Sequence, residues 1–169
     1  MPETDNWRAD RIGTALRGEN PTVVRRLKRG FAVMGDPQFL PGYCVLLADD
    51  PQITRLSDMP RAERLEYLAD LDCLAEAVEI ACRRLDPAFR RVNIEILGNR
   101  DAFLHAHVWP RYDWEPPELV GRPVWHYPQE RWSDAGSTLG PQHDRLREEI
   151  ARALDSLAAG PQAATALAT

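Results

Sequence analysis

The spacing of apolar and polar positions divides this chain of 169 residues into short extended runs, one long helix and an aperiodic segment closed by a second helix. Residues 7–17 predict a short amphipathic helix, with Trp7, Ile12, Ala15 and Leu16 apolar, Asp5 as N-cap and Gly18 as stop. Residues 22–27 and 30–34 carry β-branched or aromatic side chains and predict a hairpin through Lys28 and Arg29. Gly35-Asp36-Pro37 reads as a turn and 38–42 as a loop. The unbroken apolar run 43–48 predicts a central strand. A polar connection over 49–59 ends at Ser57 or Asp58, either of which suits the N-cap of a helix with Pro60 in its first turn. That helix, 60–85, carries Leu65, Leu68, Leu71, Leu74, Ala75, Val78, Cys82 and Leu85 at threes and fours, and Asp86-Pro87 stops it. Residues 91–97 and 102–110 predict the last two strands.

After Trp114 the periodicity stops. Residues 115–140 are rich in Pro, Gly and Trp and read as a long ordered loop lying over the domain, because disordered segments rarely carry residues such as Trp125, Tyr127 and Trp132. Residues 142–157 predict a final helix, and the Ala-rich end past Gly160 a frayed tail. The fold class is α+β: an antiparallel sheet of about five strands with one long helix packed on it. The organisation is a domain over 1–114 and a C-terminal extension over 115–169 packed on the same domain.

Composition narrows the partners. The net charge is -5, so the surface as a whole does not read as a nucleic-acid binder, and the basic run Arg25, Arg26, Lys28, Arg29 reads as a solvated strand face. Three cysteines without CxxC spacing argue against a disulfide framework and a structural zinc site. No apolar run approaches the roughly 18 residues of a membrane span, and the polar, acidic N-terminus does not read as a signal peptide. These features point to the cytoplasm and to no membrane partner.

The chemistry concentrates on 93–114. His105 and His107 are two apart on a predicted strand, so both imidazoles lie on one sheet face beside a Gly98-Asn99 turn. Imidazole titrates near neutral pH and can attack, donate or bind metal. A metal needs a third ligand, for which only Asp101, His126 and His143 offer themselves. The structural alternative is a satisfied histidine pair on a strand.

The order of these motifs resembles the histidine-triad (HIT) superfamily of nucleotide hydrolases and transferases, whose signature is His-φ-His-φ-His-φ-φ near the end of the last core strand. Here it reads His105-Ala106-His107-Val108-Trp109-Pro110-Arg111. Upstream, Arg17-Gly18-Glu19-Asn20-Pro21 is similar to the family's RGE-x-P, and Pro41-Gly42-Tyr43 stands where the family has Pro-Gly-His before its apolar strand. The resemblance covers roughly 10–112. It implies a HIT-like fold and a nucleotide substrate. It also implies that His107 attacks the α-phosphorus to form a nucleotidyl-imidazole, while His105 orients the site. No cofactor or metal is implied, because main-chain and imidazole donors offset the developing charge. The substrate is then a dinucleoside polyphosphate, a nucleoside phosphoramidate or an adenylate-type ester. The alternatives are a nucleotidyltransferase or phosphorylase of the same superfamily, or a catalytically eroded nucleotide-binding protein. Many members are homodimers, which makes a homodimer the expectation.

Three positions depart from the pattern. Trp109 replaces the third histidine and cannot accept a proton, so it contacts ligand or packs as a core aromatic. Asp101 and Ala102 replace a phosphate-binding Gln-Ser, with Asn99 and Arg100 as replacement donors. The ribose-binding acid aligns with Gly35, leaving Asp36 one place along as a bidentate acceptor. Gln38 and Arg111 complete the candidate binding residues, each with a plain structural alternative. Trp114, Trp125, Tyr127 and Trp132 read either as a wall for a base or acyl group or as local core.

Overall fold

The computed structural model describes residues 6–160; the expected Asp5 cap and the Ala-rich tail lie outside them. Five strands, β1 (Val23–Arg26), β2 (Gly30–Met34), β3 (Cys44–Ala48), β4 (Phe89–Glu95) and β5 (His105–Tyr112), form one sheet in the order β1-β2-β3-β5-β4 with every neighbour antiparallel. The helices are α1 (Arg11–Leu16), α2 (Arg61–Leu85), α3 (Pro117–Val120), α4 (Gln129–Trp132) and α5 (Asp144–Ala159). Fully buried β2, β3 and β5 form the middle of the sheet, which is why β2 and β3 read as apolar runs rather than as alternation.

Helix α2 lies on the sheet and contacts β3, β5 and β4, while α5 packs on α2 and reaches β1. The buried residues of α2 include Leu71, Leu74, Val78 and Cys82 from the expected stripe. They also include Tyr67, whose hydroxyl donates to Leu46 O at 3.0 Å. Leu65, expected on that stripe, is half exposed.

Several boundaries moved for local reasons. The expected helix over 7–17 is broken, because Asp10 accepts a hydrogen bond from Gly13 N and starts α1 there, leaving a 3-10 turn over Asn6–Arg8. Pro60 is the N-cap of α2 rather than part of its first turn, and Asp58 instead accepts from Thr54 N and Arg55 N. Strand β5 runs through Pro110 to Tyr112. Pairing with β3 ends at Cys44 and Val108, so the proline sits beyond the two-sided part of the strand. The expected loop over 115–140 contains α3, α4 and 3-10 turns. Prolines 116, 123 and 128 precede three of these turns and preset the backbone for their entry.

Two glycines allow the site end of the sheet to close. Gly42 has φ +99°, and a Cβ there would stand 2.5 Å from Cys82 Sγ on α2. A Cβ on Gly35 would fall 2.0 Å from the Tyr43 ring.

Candidate active site

Side-chain alternation along β5 sends Ala106 and Val108 toward α2 and His105, His107, Trp109 and Arg111 to the opposite face. On that face His105 pairs across β3 with Leu47, and His107 with Val45 on one side and Glu95 of β4 on the other. The two imidazoles are 4.9 Å apart, edge to face, and both are more than nine-tenths buried.

Their ring nitrogens are held differently. His105 Nδ1 lies 2.9 Å from Phe103 O. A carbonyl only accepts, so Nδ1 carries the proton and a neutral His105 leaves Nε2 as a lone pair. His107 Nδ1 lies 2.7 Å from the Tyr43 hydroxyl, a partner that can donate or accept. Burial, helped by the neighbouring His105 and opposed by Asp101, lowers the pKa of His107 to about 4. His107 is therefore uncharged at neutral pH. Burial also raises the Tyr43 pKa far above its ordinary value, so its hydroxyl stays protonated.

Two cleft chambers meet at this pair. The smaller, about 130 Å³, lies over β2 and β3 and is bounded by Val33, Val45, Phe103, Asp36 and Arg11. The larger, about 550 Å³, lies toward β4 and the C-terminal extension and is bounded by Leu97, Asn99, Arg100, Trp125 and Trp132. His105, His107, Tyr43, Pro37 and Asp101 border both.

The candidate residues separate accordingly. His105, His107, Asp36, Asn99, Arg100 and Asp101 come together around the two chambers. Asp36 is already paired with Arg11 Nη2 at 2.7 Å and Arg8 Nε at 3.5 Å. The other three are structural. Trp109 is fully buried, stacked on Tyr43 with ring centroids 3.4 Å apart and edge-on to Trp132, and its indole N–H has no partner among the described residues. Gln38 is buried, donating to Gly35 O and Tyr43 O and accepting from Gly42 N, so it builds the turn instead of facing ligand. Arg111 donates to both Glu115 oxygens and to the carbonyls of Arg122, Leu119 and Val120, and its side chain is almost wholly buried and borders neither chamber. The phosphate-binding expectation for Arg111 and the ligand contacts for Gln38 and Trp109 are corrected on this ground.

Sequence reasoning missed Tyr43 as the partner of His107, and Glu115 as the organiser of the extension. Glu115 also accepts from Tyr112 N and the Tyr127 hydroxyl, at 2.7 and 2.6 Å. A signal was present: an arginine at an inward-facing strand position demands a carboxylate, and Glu115 is four residues away. Among the described residues no group of three or more His, Cys, Asp or Glu is arranged to hold a metal ion, and no helix is long and apolar enough to cross a membrane.

No family model matches the sequence, and no curated protein matches it. Solved structures do. A histidine triad (HIT) protein from Sinorhizobium meliloti 1021 superposes with a TM-score of 0.60 at 17% identity, over 87% of this chain and 93% of its own. One from Marinobacter aquaeolei VT8 gives 0.60 at 17%, over 80% and 89%. A hypothetical histidine triad nucleotide-binding protein from Sulfolobus tokodaii strain 7 gives 0.62 at 12%, over 86% and 91%. The chain has the histidine triad fold, and the His105–His107 strand is the last strand of its sheet in chain order.

Proposed function

We propose that this protein is a nucleotide hydrolase that breaks a phosphoric anhydride or P–N bond at the α-phosphate through a nucleotidyl-histidine on His107. The observation carrying this reading is the imidazole pair, with His107 uncharged, where two chambers meet, on a histidine triad fold. With its Nδ1–H donated to Tyr43, His107 has its Nε2 lone pair free. The Nε2–P bond forms as the bond to the leaving group breaks, and the leaving group keeps the electron pair and takes a proton from solvent. Water then attacks the phosphorus, releasing the nucleoside monophosphate and regenerating the imidazole. Trp109 is packed away, and His105, whose ring lies 4.9 Å from that of His107 and whose Nε2 keeps a lone pair, is placed to take the proton of the attacking water.

A second reading rests on the same hydrogen bond. If Tyr43 donates to Nδ1, the proton of His107 sits on Nε2, and the imidazole becomes a donor to phosphate in a binding protein without turnover. The deciding experiment is turnover of a small nucleotide panel, including diadenosine tetraphosphate and adenosine phosphoramidate, by wild type and His107→Gly, without added metal and then with EDTA. Activity that survives EDTA and disappears in the variant supports the hydrolase. Binding of adenosine monophosphate with no turnover of any substrate supports the binding protein.

The oligomeric state we propose is a homodimer formed along β4. Among the described residues this strand ends the sheet with one edge unpaired, and it carries the half-exposed Ile94.

A further inference from the structure

A separate cavity, about 310 Å³, lies between the 3-10 turn before α1, the entry to β1 and residues 139–147. Among the described residues it has only Asp36 in common with the smaller chamber and none with the larger. The buried Trp7 lines it. Two guanidiniums lie over that ring, with Arg8 Cζ 4.2 Å and Arg11 Cζ 5.1 Å from its centre. Both converge on Asp36, Arg11 from the side of the chamber and Arg8 from the side of the cavity. Two guanidiniums on one carboxylate leave one positive charge in excess. The contact with Trp7 orders both in advance, so little entropy is lost when a ligand meets them.

Residues 139–147 add donors. Arg147 Nη2 donates to Val23 O at 2.6 Å, and its guanidinium forms no ion pair among the described residues. His143 Nδ1 accepts from Gly140 N at 3.2 Å, and burial lowers the pKa of the ring. The neutral ring therefore carries its proton on Nε2, as a donor. The carboxylates that line the cavity are Asp36, already taken by two arginines, and Asp144, which is exposed and screened by water. Guanidinium forks match phosphate oxygens, and the volume is at the lower end of small-molecule sites.

We propose that this cavity is a phosphate subsite, with Arg8, Arg147 and His143 Nε2–H as its donors and Asp36 as the wall between it and the catalytic chamber. Two sources supply a phosphate there. One is a second phosphate on the ribose of a nucleotide. A sugar seated at Asp36, with its 5′-phosphorus at His107, would bring its 2′ or 3′ substituent to the arginine pair. This source rests on the proposed function and narrows the substrate to a nucleoside phosphorylated at both ends of its ribose. The other source is free inorganic phosphate, which needs no nucleotide.

The test reads binding. Adenosine and guanosine 5′-monophosphates, their 2′,5′- and 3′,5′-bisphosphates, and inorganic phosphate are titrated by calorimetry in phosphate-free buffer at one ionic strength. The proteins are wild type, Arg147→Gln and Arg8→Gln, each checked for fold by circular dichroism. If the ribose carries the phosphate, one bisphosphate isomer binds about tenfold or more tightly than its monophosphate, the scale of a charge-assisted hydrogen bond. That ratio is expected to fall to near one in Arg147→Gln or, should that variant not fold, in Arg8→Gln. If the phosphate binds free, it saturates wild type with the monophosphate already bound, the saturation is lost in the same variant, and neither bisphosphate gains. Absence of both a bisphosphate gain and saturable phosphate binding overturns the subsite, as does a gain or saturation that survives in the folded variants. A bisphosphate gain in a protein that cleaves no nucleotide defeats the hydrolase reading and leaves the subsite standing. Saturable phosphate in a protein that binds no nucleotide defeats the proposed function and also leaves the subsite.

Discussion

His107 concentrates the chemistry at the scale of the residue. A free imidazole titrates near pH 6.5, whereas His107, buried on β5, resists protonation until about pH 4. As pH falls below about 6.5 the unfolded chain takes up a proton that the folded chain refuses. Stability from this group is complete above about 6.5 and declines down to about 4. Chemical denaturation across that window is expected to show an acid-side loss on the order of 3 kcal/mol that is absent in His107→Asn. The acid limb of kcat/KM is expected near pH 4 for the same reason. His107→Ala is expected to abolish turnover while its far-ultraviolet circular dichroism stays that of wild type, and equal activity in that variant would sink the mechanism. Tyr43→Phe removes the hydrogen bond to Nδ1. Long-range 15N–1H spectra of the histidine side chains should then report a changed tautomer balance for His107, with kcat down about tenfold, the scale of one such bond.

Among the elements, the Arg111–Glu115 pair joins β5 to the extension. Both side chains are almost wholly buried, and Glu115 gathers donors from Arg111, Tyr112 and Tyr127. Removing one member leaves the other charged and unpaired inside. Glu115→Ala is therefore expected to lose about 3–5 kcal/mol in urea denaturation. The turn before β3 is the other sensitive junction. Gly42→Ala forces a side chain onto a positive φ and against Cys82, and a loss of about 1–3 kcal/mol is expected. The extension is tied across the site end of the sheet by Gln38 N on Ser137 O and Leu139 N on Asp36 O, so damage at either junction should reach the chambers as well as stability.

For the whole molecule, an interface along β4 predicts a light-scattering mass of twice 19.2 kDa, falling to one chain in Ile94→Glu. A monomeric wild type would exclude it. The sheet and α2 were legible in the chain because period-2 and 3.6-residue patterns follow directly from backbone geometry, and the observed strands keep the expected order. The clustering of His105 with His107 was legible for the same reason, since i and i+2 share a face of any strand. The sequence by itself therefore determined the five strands, the two long helices, their order and the imidazole pair. Only the tertiary structure decided the fates of Gln38, Trp109 and Arg111, the pairing of Tyr43 with His107, and the Trp125 wall. Gln38 and Arg111 are claimed by groups within 11 residues in the chain, but the site pairings depend on partners brought close by folding, from 64 residues away for Tyr43 and His107 and 30 for Glu95 and Trp125. Whether a polar side chain faces ligand or serves structure is set by which donors and acceptors reach it across such separations. Local patterning says which face it occupies and nothing of what meets it there.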